Sequence, residues 1–363
     1  MKVSVVICTY AMDRYDVFSE CVDSVLAQTY DPLEVVIVVD GNEQVFERVQ
    51  DDYGEIEDVV LHCNDENRGI SYSRTRGAEI ATGEVVAFID DDAVAEPEWV
   101  DELARVYEET DAIAVGGHVA PDWVTEKPDF FPEEFYWLVG CDERGMGEHM
   151  EELRNTYGSN ISYRRDVFLN VGGYDENTGR QGDRHIQAHE APVCIRMANA
   201  YGKGVIYNTE AVVHHKLFDY RGDFQWLVFR SFWQGYSKRI MDLLLPEASG
   251  DKNEYLRQLM LEFVPDRLSN LAREPSTAKA KQLLTIFLFT AAVGFGYLYG
   301  VVDVDRSGRS SICRSIDGLF PLTPPPLRFG WNGEREGVGV SDFFVSSLAR
   351  ESFILYPVKP NPH

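Results

Sequence analysis

Four short apolar runs recur through the first ninety residues, Lys2–Cys8, Leu33–Val39, Val59–Cys63 and Val85–Ile89, with helical stretches between them. Runs of this kind lack a polar face and must be covered on both sides. A parallel sheet with crossover helices on its faces does this, so the pattern predicts an α/β fold. The spacing places helices over about Val17–Gln28, Val45–Asp52 and Ile70–Ala81, the last stopping before Gly83. The fourth strand delivers Asp90-Asp91-Asp92 at its carboxyl end, and the second closes on Asp40-Gly41-Asn42. Ligands of open α/β sheets bind at those carboxyl ends, so both acidic turns become site candidates.

Beyond the fourth run the pattern changes. Residues from roughly Ile113 to Val213 mix short strands and helices and are richer in Gly, Pro and aromatics, as a substrate-facing half would be. Asp223 to Leu245 reads as an aromatic helix carrying Trp226, Phe229, Trp233, Tyr236 and Ile240 at helical spacing, with Arg230, Lys238 and Arg239 among them. Two readings stay open for it, a membrane-interface helix and a buried core helix. Leu283 to Val302 is a run of 20 uncharged residues, long enough to cross or embed in a bilayer, although Gly294, Gly296 and Gly300 also allow a core hairpin. The expected organisation is a catalytic domain over 1–240, split into halves 1–112 and 113–240, then a helical connector 241–282, the apolar helix 283–302 and a tail 303–363. Beyond Gly318 that tail is Pro-rich and no structure is assigned to it.

Charge divides the chain similarly. The 60 acidic and 34 basic residues give a net charge of −26, which repels polyanions and argues against a nucleic-acid partner. Residues 281–363 carry +1 and residues 1–280 carry −27. Only 9 of the basic residues are Lys, and an acid-rich, Lys-poor surface points to a high-salt host, where screening relieves self-repulsion. The cysteines, Cys8, Cys21, Cys63, Cys141, Cys194 and Cys313, have no CxxC spacing and read as reduced thiols rather than a zinc site or disulfide framework. Met1-Lys2 leads straight into a strand with no signal-peptide pattern, so the N-terminal portion is expected in the cytoplasm, with Lys279 and Lys281 flanking the apolar run on that side.

Three adjacent carboxylates at a strand end repel one another unless a hard divalent cation joins them, and such a cation in turn holds a diphosphate. A solvated acidic turn is the bland alternative, weakened by the apolar strand leading in and by Asp40. The first strand ends in Cys8-Thr9-Tyr10-Ala11, neither GxGxxG nor GxxxxGK[ST], which removes dinucleotide-dehydrogenase and P-loop readings. His214-His215-Lys216 follows the strand Ala211-Val213. One imidazole there, His215, could complete a cation's coordination and Lys216 could offset phosphate charge; a structural His pair is the alternative.

Several motifs in order resemble the inverting glycosyltransferases of family 2 with the GT-A fold. They are Val5-Val6-Ile7-Cys8-Thr9-Tyr10, Val38-Val39-Asp40-Gly41-Asn42, Asn67-Arg68-Gly69, Phe88-Ile89-Asp90-Asp91-Asp92, Ser159-Asn160-Ile161-Ser162-Tyr163-Arg164-Arg165 and Gly172-Gly173-Tyr174-Asp175, and the likeness covers about residues 3–240. It implies a mostly parallel Rossmann-like sheet, a mixed acceptor-side half and a C-terminal membrane-associated helix. It also implies that Thr9 and Asp40 contact the uracil and ribose of a UDP-sugar, that Arg74 or Arg76 lies near its diphosphate with Asp91 on the donor side, and that Asp90 and Asp92 hold Mn²⁺ or Mg²⁺ with His215. The family's general base aligns with Glu190. Here Ala191 stands where the family usually has Asp, and Asp183, His185 and His189 are rivals; a helix-start acid favouring the macrodipole is the structural alternative.

Asn160, Arg164 and Arg165 would line the acceptor side, where arginines suit a lipid-linked phosphate or a uronate carboxylate, or else form an ordinary surface loop. Within the family the chain is similar to halophilic archaeal enzymes that build dolichyl-phosphate-linked glycans for protein N-glycosylation. That implies transfer, with inversion and no covalent sugar-enzyme intermediate, of a sugar such as glucuronic acid to a dolichyl-phosphate-linked saccharide at the cytoplasmic membrane face. Two other classes stay open: a nucleotidyltransferase making UDP-sugars, and a membrane-bound sugar-nucleotide or glycan-binding protein without a base.

Overall fold

The computed structural model describes residues 1–175, 190–244 and 252–307. Strands and helices alternate as β1 (Val3–Thr9), α1 (Tyr15–Leu26), β2 (Leu33–Val39), α2 (Glu43–Tyr53), β3 (Val59–Cys63), α3 (Ile70–Ile80) and β4 (Val85–Asp90). The runs read as strands are strands, and the helices between them differ from expectation by at most two residues at their ends. Asn42 starts α2 two residues early because its side-chain oxygen accepts the Val45 N–H at 3.3 Å. Then come β5 (Ala93–Ala95), α4 (Trp99–Glu109), β6 (Ala114–Trp123), β7 (Glu151–Leu153), β8 (Ile161–Arg164), α5 (Arg165–Asn170), α6 (Glu190–Tyr201) and β9 (Val205–Leu217). The remainder is helical: α7 (Phe224–Leu244), α8 (Lys252–Gln258), α9 (Val264–Arg273) and α10 (Thr277–Ser307).

One sheet runs β3-β2-β1-β4-β8-β6-β9-β5, with β7 on β9. The first four strands are parallel, while β8 pairs antiparallel with both β4 and β6. The chain winds outward from β1 to β3 and returns to the other side of β1 for β4. This switch point opens a crevice at the carboxyl ends of β1 and β4, where Cys8 lies opposite Asp90. Helices cover both faces, so β1 and most of β2 are buried, as their largely apolar sequences require. The rings of Phe88, Tyr163, Phe168 and Tyr174 pack together on one face, with Tyr163 and Phe168 centroids 5.0 Å apart.

The opposite end of the sheet carries stability rather than chemistry. Glu34, buried on β2, accepts from Ser4 Oγ (2.6 Å), Thr82 Oγ1 (2.6 Å), Thr82 N (2.8 Å) and Lys2 Nζ (3.0 Å). Burial alone would raise its pKa, but these donors outweigh it and hold the carboxyl at about 2. A folded value below the ordinary one means stability that is fully present above the unfolded pKa and lost as pH falls toward 2. Glu34→Gln should therefore cost about 2 kcal/mol at pH 7 and flatten the acid limb between about pH 4.5 and 2. Urea unfolding of both proteins across that range checks this.

α7 and α10 run parallel and in contact. Gly235 faces the Val293 carbonyl and Gly296 the Phe232 carbonyl, each so closely that a Cβ would overlap the other helix. Of the two readings of the aromatic helix, the buried one holds: Trp233, Tyr236 and Ile240 are buried, and Tyr236 donates to Asp303 at 3.0 Å. The first half of α10 is built into the body. Ile286 and Phe289 are fully buried, Phe289 packs on Phe135 and Phe224, and Lys281 pairs with Asp129 at 2.7 Å. Its outer face bears Leu284, Phe287, Leu288, Phe295, Leu298 and Val302, all exposed and at helical spacing. Thr277–Asp303 is long and apolar enough to cross a membrane. The Pro-rich segment beyond Gly318 and the base candidates Asp183, His185 and His189 lie outside the described residues.

Candidate active site

The crevice is lined by strand ends that the sheet brings together from distant sequence. Thr9, at the end of β1, donates to Asp91 Oδ2 at 3.0 Å. Burial and the neighbouring Asp92 charge push the Asp91 carboxyl up to about 7, against the pull of Arg14. β5 pairs antiparallel with β9 and sets Ala93 opposite His215, while the Lys216 N–H donates to the Asp92 carbonyl at 2.8 Å. This register carries a histidine 123 residues away onto the acidic turn. Alternation along β9 then separates the two imidazoles, His214 turning out to Glu96 and His215 turning in.

Buried His215 places Nε2 3.1 Å from Asp92 Oδ1, with Nδ1 3.8 Å from Cys141 Sγ. Ligand atoms of Asp90, Asp92 and His215 all lie within 4.8 Å of one another. Two hard carboxylate oxygens and one imidazole nitrogen fit a cation such as Mn²⁺ or Mg²⁺. Asp92 is nearly enclosed, and burial alone would raise its pKa; His215, Arg221 and Arg14 outweigh burial and hold it anionic. Arg14 Nη2 donates to Asp92 Oδ2 at 2.8 Å and Arg221 Nη2 to the same oxygen at 2.9 Å. At such distances each pair gains about 5 kcal/mol at an effective dielectric constant of 20, enough to offset desolvation of the carboxylate.

A second device links this cluster to the start of α6. Buried Arg74 donates to Asp90 Oδ1 at 2.5 Å, to Glu190 Oε1 at 3.3 Å and to the Gly158 carbonyl at 2.9 Å. One guanidinium thus fixes Glu190 beside the strand-end carboxylates. Glu190 opens its helix and its side chain is 20% exposed, so it is both positioned and reachable.

The remaining sequence candidates have other employment. Arg76, two positions on from Arg74 and so on the opposite face of α3, pairs with Glu79 and lies away from the crevice. Asp40 braces the turn before α3, accepting from Asn64 Nδ2 and from the Arg68 and Gly69 N–H groups at 2.8 to 3.0 Å. Lys216 pairs its ammonium with Glu20. The acceptor-side expectation for Asn160, Arg164 and Arg165 needs correction. Asn160 is fully buried and holds Trp99 Nε1 and the His118 and Ala211 carbonyls. β8 runs antiparallel to β4, which puts Arg164 opposite Val85, at the far end of β4 from Asp90. There Arg164 caps the Ala112 and Tyr107 carbonyls and Arg165 those of Ala78 and Glu79. Sequence reasoning missed Arg14, Arg221 and Cys141. No local pattern marks them: Arg14 comes from the turn after β1, Arg221 from the turn after β9, and Cys141 meets His215 from a separate loop.

The fold is similar to that of the solved mannosyltransferase of Pyrobaculum calidifontis in complex with GDP-Man and Mn²⁺, with a TM-score of 0.53 at 16% identity over 83% of this chain and 87% of that one. The fold is GT-A, a sheet whose switch-point crevice ends in paired carboxylates. Residues 4–172 match Glycosyl transferase family 2. The chain belongs to that family and is a hexosyltransferase. It is 72% identical over 303 residues to the glucosyl-dolichyl phosphate glucuronosyltransferase of Haloferax volcanii, covering 83% of this chain and 97% of the relative. It is also 29% identical over 169 residues to glycosyltransferase GlyG of Streptococcus pneumoniae, covering 46% of this chain and 54% of that protein.

Proposed function

We propose that the chain transfers glucuronic acid from UDP-glucuronate to a glucosyl-dolichyl phosphate acceptor, with inversion at the anomeric carbon, in the assembly of a lipid-linked glycan for protein N-glycosylation. The observation that carries the choice of sugar and acceptor is the 72% identity, spread over nearly the whole of the Haloferax relative that bears this name. For the chemistry, support comes from the bridge Asp90–Arg74–Glu190. Glu190 takes the proton of the acceptor hydroxyl as that oxygen attacks, and Arg74 keeps its carboxylate aimed. A divalent cation on Asp90, Asp92 and His215 would supply positive charge for the departing diphosphate. Thr9 orients Asp91 on the donor side, and Asp40 shapes the turn that flanks it. Incubating membranes containing the protein with a panel of radiolabelled UDP-sugars tests this. Label from UDP-glucuronate alone should enter the lipid extract and vanish with EDTA, and exclusive labelling from another donor would overturn the sugar assignment.

The membrane contact is assigned to the outer face of α10, lying in the plane of the bilayer with the body on the cytoplasmic side. Its inner face is committed to α7 and the core, so a spanning orientation would drag both into hydrocarbon. Charge agrees: residues 1–223 carry −28 and residues 224–307 carry +1, so of these two parts the helical one escapes repulsion from an anionic lipid surface. Leu288→Glu combined with Phe295→Glu should move the protein from the floating to the sedimenting fraction with vesicles. Undiminished flotation would remove this face from the contact.

A further inference from the structure

Arg221 contacts two of the residues that a cation would need. Its Nη2 donates to Asp92 Oδ2 at 2.9 Å and its Nη1 lies 2.9 Å from His215 Nε2, so one guanidinium spans the carboxylate and the imidazole. Both residues belong to the three-ligand group with Asp90. A guanidinium and a metal ion are both cations and cannot both stand against these side chains, so one must leave when the other arrives.

Of the three arginines around the cluster, Arg221 is the one that bridges two residues of the three-ligand group. Arg74 is buried and anchored on Asp90, Glu190 and Gly158. Arg14 meets Asp92 through one oxygen and lies over the Phe218 ring at 5.3 Å. Arg221 sits on the single turn Asp219–Gly222 between β9 and α7, outside the sheet, and its Nε donates to the hydroxyl of exposed Tyr220 at 3.1 Å. Rotation about its side chain would free both ligand atoms without breaking a strand pair or a helix.

We infer that Arg221 is an exchangeable counter-ion: it keeps Asp92 and His215 in place until a divalent cation takes them, and its freed guanidinium then turns to a phosphate of the nucleotide donor. Charge makes the two halves one event. A dication added beside Arg14, Arg74 and Arg221 leaves the crevice over-positive, and a nucleoside diphosphate restores the balance with oxygens that suit a guanidinium fork. Cation and donor should therefore each tighten the other's binding, by the same factor.

The inference rests on the cation-site reading, and calorimetric titration with Mn²⁺ and with UDP separates the two. In the full-length protein, Arg221→Gln should bind Mn²⁺ alone about tenfold more tightly than the unmodified chain, because a competitor is gone, and bind UDP at saturating Mn²⁺ about tenfold more weakly. Arg221→Lys, which keeps the charge but cannot span both atoms, should fall between the two in each titration and serves where the Gln variant does not fold. A merely structural arginine would weaken both affinities or leave both unchanged, and Mn²⁺ affinity that does not rise in either variant overturns the exchange. If the unmodified chain binds no Mn²⁺ with or without UDP, the cation-site reading fails, and the exchange with it.

Discussion

Glu190→Gln should lower kcat about a thousandfold while UDP affinity stays within about twofold. Gln keeps the length of the side chain and an oxygen for the Arg74 hydrogen bond, so the bridge from Glu190 to Asp90 survives in shape. What it loses is the capacity to take a proton from the acceptor hydroxyl. A Glu that served only the helix macrodipole would contribute at most about 1 kcal/mol of stability and nothing to turnover. Single-turnover rates and UDP titration on the same preparation distinguish the two roles. Full activity in the Gln variant would move the base elsewhere and make Ala191, where the family usually has Asp, a harmless departure rather than one compensated by Glu190.

Asp92→Ala is the second large effect, and it should appear in two measurements at once. The substitution removes one ligand of the three-residue group, so Mn²⁺ affinity and sugar transfer should both collapse, the latter by about a hundredfold or more. It also strips the partly buried guanidiniums of Arg14 and Arg221 of their shared partner. Losing that partner costs about 1 to 3 kcal/mol, so the melting temperature should fall as well. Asp92→Asn, which preserves volume and an acceptor oxygen, should recover part of the stability and none of the activity. Retained transfer by Asp92→Ala in EDTA would contradict a cation at this site.

How much of this was legible in the sequence follows from how local each signal is. β1 to β4 could be read because a strand buried on both faces must be mostly apolar, and Val3–Thr9 and Leu33–Val39 meet that requirement within seven residues apart from Ser4, Thr9 and Glu34. The Asp90-Asp91-Asp92 turn was legible for the same reason, as a polar break at the end of such a run. The mixed half was not, because β8 has four residues and β7 three, too short for a period to declare itself. Arg164 and Arg165 misled because arginines that cap backbone carbonyls are indistinguishable in sequence from arginines that bind phosphate. Asn160 misled similarly: a buried amide satisfied by Trp99, His118 and Ala211 reads like a polar loop residue until its partners are seen. Arg14 and Arg221 lie 78 and 129 residues from Asp92 in the chain, beyond the reach of any local pattern. The aromatic helix α7 was ambiguous in principle, since helical spacing of large rings describes a core stripe and an interfacial stripe equally well.

The central claim is a single displacement in which one carboxylate activates the acceptor and no sugar becomes attached to the protein. The measurement that tests it most directly is the anomeric configuration of the transferred residue, read by NMR coupling constants on the saccharide released from the lipid after reaction with an α-linked UDP-sugar. A β-linked product is expected, formed by attack from the face opposite the departing diphosphate. An α-linked product would contradict the mechanism, and Glu190 would lose its assigned role as the base for a direct displacement.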